Sequence, residues 1–383
     1  MITPGPRYQR LPMNMDDDIQ WAEPTGSKLS RFLQRASSLP CRTCSPSNWI
    51  KITAVLLTVT CVFETYWIVH LHDIQTRVPN DPYDNIFTSG GGRRALDIWD
   101  GNHQEFIHNA IPVPVHSHND YWRQIPLFEA LASGCISVEA DVHLHDSDLL
   151  VGHNAISLRS SSTLRSLYLE PLQRMLESQN PNGTDDLWRG IFNRAPQQTV
   201  VLLVDLKTAG VATFAELSDE LQPLRDLNYL TYWDGLKKVY RPLTVVATGY
   251  AEFTWITALN AAHRDIFWDA RLDRLAAPED TYLPDSTDYK YNNSNSHYAS
   301  TRFSNGLFGT PGYGNAASRD AKMTQIEQAK ARGLVARYWD TPSQPPNLRE
   351  IVWRVLIQHG VGIMNMDDMG AVRDRARGWG KIY

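Results

Sequence analysis

Thr199-Val200-Val201-Leu202-Leu203-Val204-Asp205-Leu206-Lys207 is apolar at every position from Val200 until its last three residues. A strand with one wet face alternates polar and apolar residues. A run without that alternation reads as a strand buried on both faces, the usual condition of a parallel sheet covered by helices. Working outward, residues 111–116, 135–143, 243–247, 266–269, 334–339 and 362–365 read as further strands. Stretches of helical period fall between them, at 127–133, 164–178, 211–227, 253–261, 323–332 and 348–359. Regular alternation of this kind predicts α/β architecture, and a span close to the roughly 250 residues of a (β/α)8 TIM barrel makes that barrel the expected fold. Residues 280–310, rich in Asn, Ser and Tyr, interrupt the rhythm and read as an inserted loop over one face.

The chain of 383 residues is 42% hydrophobic and 10% aromatic, ample for one large core. A net charge of −5 excludes the broad basic field that recruits nucleic acid. Of the four cysteines, Cys41, Cys44 and Cys61 lie at or before the apolar segment and only Cys135 lies beyond it, so a disulfide framework is excluded for the main domain. Trp49 to Leu71 reads WIKITAVLLTVTCVFETYWIVHL, long enough to cross a bilayer core of about 30 Å, with Lys51 and Glu64 as its charges. It follows almost fifty polar residues, too late for a cleaved signal peptide, and is expected to be a signal anchor. Lys28, Arg31, Arg35, Arg42 and Lys51 precede or open the span while Arg77 faces Asp73, Asp81 and Asp84 after it, which predicts a cytosolic N-terminus. The expected organisation is a disordered tail at 1–48, the anchor at 49–71, a stalk at 72–101 and the barrel at 102–383 in the secretory lumen or outside the cell. There Asn182-Gly183-Thr184 and Asn292-Asn293-Ser294 become glycosylation acceptors.

Chemistry enters where polar residues interrupt apolar strands. Glu139 and Asp141 stand two apart in Val138-Glu139-Ala140-Asp141-Val142, so on a strand they share a face, as do Asp205 and Lys207. Unpaired in a barrel interior, the carboxylates would cost several kcal/mol, about the scale of any buried charge, and a cation shared by Glu139, Asp141 and Asp205 relieves it. A half-exposed strand and a structural Asp205–Lys207 ion pair remain the plain alternatives. Three oxygen ligands without cysteine suit a hard ion, Mg²⁺ ahead of Ca²⁺, and phosphate substrates suit such ions. His118 ends the first strand in His116-Ser117-His118-Asn119-Asp120, and His153 follows in Gly152-His153-Asn154. Two imidazoles beside a bound phosphoryl group can serve as general acid and base at neutral pH.

The ordered set His118, Glu139-x-Asp141, His153 and Asp205-x-Lys207 resembles the phospholipase C-like phosphodiesterase superfamily, especially glycerophosphodiester phosphodiesterases and phospholipase D-type sphingomyelinases. Arg337-Tyr338-Trp339 and Gly362-Ile363-Met364-Asn365 resemble the last two strands of such barrels. More narrowly, His118-Asn119-Asp120-Tyr121 with the later Asp205-Leu206-Lys207-Thr208 and a single preceding anchor resembles the fungal altered inheritance of mitochondria protein six family. The resemblance implies a metal-dependent phosphoric diester hydrolase or cyclising lyase acting on a phospholipid-derived or glycerophosphodiester-type substrate. Its metal ligands would be Glu139, Asp141 and Asp205, its catalytic residues His118, His153 and Lys207, and Asn119 and Trp339 would touch substrate. Asn119 stands where glycerophosphodiesterases carry arginine, which leaves Lys207 as the main side-chain cation for the phosphate. Two other readings stay open: a zinc amidohydrolase using His116-x-His118 and His143-x-His145, and a membrane-anchored barrel that binds a headgroup without turnover. Oligomeric state has no signature in the sequence.

Overall fold

The computed structural model describes residues 46–76, 107, 110–183, 187–275, 290–303, 316–344 and 346–376. Contacts between Cα atoms divide the chain into two units, Met1–Arg77 and Val78–Tyr383.

In the first unit, Pro46–Thr76 is one helix. Its segment Asn48–His70 is long and apolar enough to cross a membrane, with a mean hydropathy of 1.8. The helix starts before the expected anchor boundary and continues past Leu71 into the expected stalk, because no Gly or Pro stops it there. Hydroxyls of Thr58, Thr60 and Thr65 donate to the carbonyls of Ala54, Leu56 and Cys61 one turn back, so these polar groups are satisfied within the helix. The expected tail up to residue 45, including Cys41 and Cys44, and the expected stalk from residue 77 lie outside the described residues.

The second unit is a closed barrel of eight parallel strands. In chain order these are β1 (Val113–Ser117), β2 (Cys135–His145), β4 (Val200–Leu206), β7 (Leu243–Gly249), β8 (Ile266–Arg271), β9 (Ser296–Arg302), β10 (Val335–Trp339) and β11 (Ile363–Met366). Hydrogen bonding runs β1-β11-β10-β9-β8-β7-β4-β2, and the β1–β2 pairing closes the ring. The strand β3 (Asp148–Val151) folds back antiparallel on the end of β2, and β5 (Tyr232–Trp233) pairs with β6 (Lys238–Val239) outside the barrel.

The sequence of β4 shows why the ring has two cores. Val200, Leu202, Val204 and Leu206 face outward into the large cluster beneath the helices. Val201 and Leu203 point inward, where they meet Val246, Tyr298 and Ile363 in a small plug that fills the barrel. Asp205 continues the inward series at the C-terminal end of β4. In β2 the outward residues are Val138, Ala140 and Val142, which puts Glu139 and Asp141 on the inner side with Asp141 level with Asp205.

Two expectations need correction. The polar stretch 280–310 is not one loop, since its residues Ser296–Arg302 form β9, paired on both sides. Residues 276–289 and 304–315 lie outside the described residues. The single helix expected at 211–227 is two, Val211–Glu220 and Gln222–Asp226, because Pro223 opens a new helix.

Candidate active site

Strand ends at one mouth of the barrel bring the six candidate residues together. β1 delivers His118, whose backbone N–H extends the pairing with β11 by donating to the Met366 carbonyl at 3.1 Å. Asn119 then adopts a left-handed conformation, φ 47°, which an asparagine tolerates. This turn aims the Asn119 backbone N–H at Glu139 Oε2, 3.0 Å away. The β2–β3 hairpin carries His153, and Asn154 pins the loop by accepting the backbone N–H groups of Ile156 and Ser157 at 3.1 Å each. Lys207 leaves β4 with its N–H bonded to the Val142 carbonyl at 2.8 Å.

Asp141 organises the site, and its two oxygens differ. Oδ2 accepts from the Tyr121 hydroxyl at 2.7 Å and from His153 Nδ1 at 3.0 Å, with Lys207 Nζ at 3.1 Å. Oδ1 is buried and has no hydrogen-bond partner among the described residues. Such a carboxylate oxygen is costly unless something else meets it. Glu139, Asp141 and Asp205 each place a carboxylate oxygen within 4.8 Å of the others. That donor set, all oxygen and without thiolate or imidazole, fits a hard divalent cation. Lys207 Nζ also lies 2.7 Å from Asp205 Oδ2, so one ammonium bridges two of the three carboxylates.

Electrostatics differ among the three. Burial opposes ionisation of Glu139, but the charge of His118, the His116 bond and the charge of Arg337 outweigh it and hold its carboxyl well below the usual range. Burial, with repulsion from Asp141 and Glu139, lifts Asp205 to about 6 even against Lys207. For His118 the desolvation of the ring is overcome by Glu139 and Asp367, so its pKa rises.

Several residues beyond the expected ligands and catalytic groups complete the site. Asp367, just past β11, accepts through Oδ1 from the His118 ring Nδ1–H at 2.8 Å. Tyr121 donates to Asn119 Oδ1 at 2.6 Å as well as to Asp141, and its oxygen lies 3.1 Å from His153 Nδ1. Arg123 braces the first loop by donating to the carbonyls of Asp367 and His118. Arg337, buried inside the barrel, donates to Ser300 Oγ and Asn365 Oδ1 at 3.1 Å each. It is a second interior cation beside Lys207, which the expectation built on Lys207 omitted. The Asn119 side chain is engaged by Tyr121. Trp339 ends β10 half-buried, with the Arg302 guanidinium 5.7 Å from its ring centre.

The histidines of the zinc reading do not converge. His116 is fully buried, bonded to Ser137 Oγ at 2.7 Å, and burial depresses its pKa to about 4. His143 donates to the Gly152 carbonyl at 3.0 Å across the β2–β3 hairpin, while His145 is exposed and pairs with Asp146.

Residues 104–269 match the AIM6-like phosphodiesterase domain. Among relatives, the altered inheritance of mitochondria protein 6 homolog of Arthroderma benhamiae is 35% identical over 281 residues, covering 69% of this chain and 83% of that protein. Altered inheritance of mitochondria protein 6 of Eremothecium gossypii is 36% identical, covering 67% of this chain and 68% of its own, and that of Saccharomyces cerevisiae is 32% identical, covering 67% and 69%. A glycerophosphoryl diester phosphodiesterase from Parabacteroides distasonis matches in structure at 15% identity and a TM-score of 0.37, over 72% of this chain and 90% of that one. Sequence identity of this extent places the chain in the altered inheritance of mitochondria protein 6 family, the family its His118 and Asp205 motifs resemble, and gives it an AIM6-like phosphodiesterase domain.

Proposed function

We propose that this chain is a divalent-cation-dependent phosphoric diester hydrolase, or a cyclising lyase for the same bond, acting on a phospholipid-derived or glycerophosphodiester-type substrate. The observation that carries the reading is the division of labour at Asp141, with three donors on Oδ2 and none on the buried Oδ1 beside Glu139 and Asp205.

Glu139, Asp141 and Asp205 would hold the cation, with Mg²⁺ ahead of Ca²⁺, and when bound it neutralises phosphoryl charge. Lys207 adds a fixed positive charge beside the developing negative oxygens. His118, oriented by Asp367, and His153, oriented by Asp141, handle the protons. One ring takes the proton of the attacking hydroxyl and the other protonates the leaving alkoxide. Attack by water yields a phosphomonoester and an alcohol; attack by a neighbouring substrate hydroxyl yields a cyclic phosphate and the same alcohol. Asn119 and Trp339 would line the substrate path. The helix Asn48–His70 supports a membrane-anchored enzyme with its barrel in the secretory lumen or outside the cell, and Asn182 and Asn292 would carry glycans there.

Purified full-length chain is to be assayed against choline-, ethanolamine-, inositol- and glycerol-based phosphodiesters with Mg²⁺, Ca²⁺ or chelator. Turnover that requires the ion, and is lost in His118→Ala and Glu139→Ala with melting midpoints within a few degrees of wild type, is the expected result. Binding without turnover across the whole panel would overturn it in favour of a headgroup-binding barrel.

A further inference from the structure

Asp269 lies on β8, two residues before its end, and is 7% exposed. Its Oδ1 has no hydrogen-bond partner among the described residues. The hydroxyls of Ser300 and Thr248 and the positive charge of Arg337 act on the carboxyl group. These neighbours locate it. Thr248 is the register partner of Asp205 across β4 and β7. Ser300 is the register partner of Arg337 across β9 and β10 and accepts its Nε–H. Its neighbours Trp268 and Ala270 pack on the outer cluster, so Asp269 faces the same interior as Glu139. Asp269 nevertheless stands outside the group of carboxylates close enough to share a cation. It sits between the Asp205 side of the site and Arg337, with one oxygen committed to no protein group.

A buried acceptor in that position wants a hydrogen-bond donor. Alkyl chains offer none, and a quaternary ammonium offers none either, preferring aromatic faces. Around Asp269 stand two hydroxyls and a guanidinium, and the positive charge of Arg337 works against a second cation. A neutral hydroxyl satisfies Oδ1 without that repulsion. We propose that Asp269 is a specificity residue that accepts a hydrogen bond from a hydroxyl on the alcohol portion of the substrate, so that the site selects phosphate esters of polyhydroxy alcohols. This assignment rests on the phosphodiesterase reading for its substrate, but its test does not depend on turnover.

Calorimetric titration of the full-length chain, in detergent with Mg²⁺, compares glycerophosphate with propyl phosphate, which lacks the free hydroxyls. Wild type is expected to bind glycerophosphate about tenfold or more tightly, the scale of a hydrogen bond to a buried charged acceptor. Asp269→Leu should bring the two affinities within about twofold of each other by loss of the glycerophosphate advantage alone. Asp269→Asn, which preserves shape and some polarity, should retain an intermediate preference, and it carries the test if the leucine variant does not fold. An unchanged preference in the variant that folds, an equal loss for both ligands, no binding of either ligand, or tighter binding of phosphocholine or phosphoethanolamine than of glycerophosphate would each overturn the assignment. Turnover of the choline-, ethanolamine-, inositol- and glycerol-based phosphodiesters is followed in parallel. If it is absent while the binding preference stands, the phosphodiesterase reading fails and the Asp269 assignment survives; if it is present while the preference does not depend on Asp269, the reverse holds.

Discussion

Gly249 turns the chain at the end of β7 with φ +70°. A Cβ there would stand 2.0 Å from Asp205 Oδ1 and 2.6 Å from the Leu206 carbonyl oxygen. Rotation of the Asp205 side chain could relieve the first clash but not the second, which is with backbone. Gly249→Ala therefore forces Asp205 away from Glu139 and Asp141 and strains a left-handed residue, at a cost of about 1–3 kcal/mol. Thermal melts with and without Mg²⁺ check it: wild type should gain stability on adding the ion, and the variant should melt lower and gain little. An equal ion-induced shift in both would refute the shared cation. Residues of this kind divide by legibility. Glu139, Asp141, Asp205 and Lys207 were readable because carboxylates and an ammonium two apart in apolar strands are locally anomalous. Asp367 was not, for its bond to His118 spans 249 positions and its surroundings look like any turn. Asp269 was equally silent, since an isolated Asp in a strand is ordinary; Tyr121 and Arg337 stand in stretches that carry the family resemblance, yet nothing local to them announced their contacts.

At the scale of elements, apolar continuity decided what could be read. β4 announced itself, whereas β9, Ser-His-Tyr-Ala-Ser-Thr-Arg, did not. Of its inward residues only Tyr298 joins the apolar plug while Ser300 serves the interior polar layer, and its outward side is largely small or polar, so no hydrophobic pattern survives. Packing of the helix Val211–Glu220 against the β2–β3 hairpin holds another unreadable feature. Glu220 is 3% exposed; its Oε1 accepts the Leu149 N–H at 3.4 Å with Arg165 at 4.0 Å, and its Oε2 has no partner among the described residues. Burial lifts its carboxyl to about 7. Folded Glu220 thus holds a proton that the unfolded chain releases near its ordinary value, so its contribution to stability falls as pH rises from about 4.5 to 7 and stays unfavourable above. Glu220→Gln imitates the protonated form. The variant should be more stable than wild type by about 1–3 kcal/mol at pH 8, a melting shift of several degrees, with the gap closing toward pH 4. Equal melting shifts at both ends of that range would show that Glu220 is not the titrating group.

For the whole molecule, the proposed membrane anchor makes a prediction about which side of the membrane receives the barrel. The helix Asn48–His70 satisfies its own backbone and returns its threonine hydroxyls to carbonyls one turn back, so only Lys51 and Glu64 resist the hydrocarbon. Lys51 stands three residues inside the N-terminal end, within reach of headgroups. The proposed orientation, with the N-terminus in the cytosol, rests on the excess of Lys28, Arg31, Arg35 and Arg42 on the N-terminal side over Arg77 on the other. Protease added to intact microsomes should remove an N-terminal epitope and spare a C-terminal one until detergent is added. Endoglycosidase should increase the mobility of the chain, with Asn182→Gln and Asn292→Gln each removing part of that change; Asn182 is exposed in the fold and Asn292 half-exposed. Changing Lys28, Arg31, Arg35 and Arg42 to glutamate removes the charge bias, and a fraction of the chains should then invert and lose their glycans. Digestion of the C-terminal epitope in intact vesicles would instead place the barrel, and with it the Glu139, Asp141 and Asp205 site, on the cytosolic side.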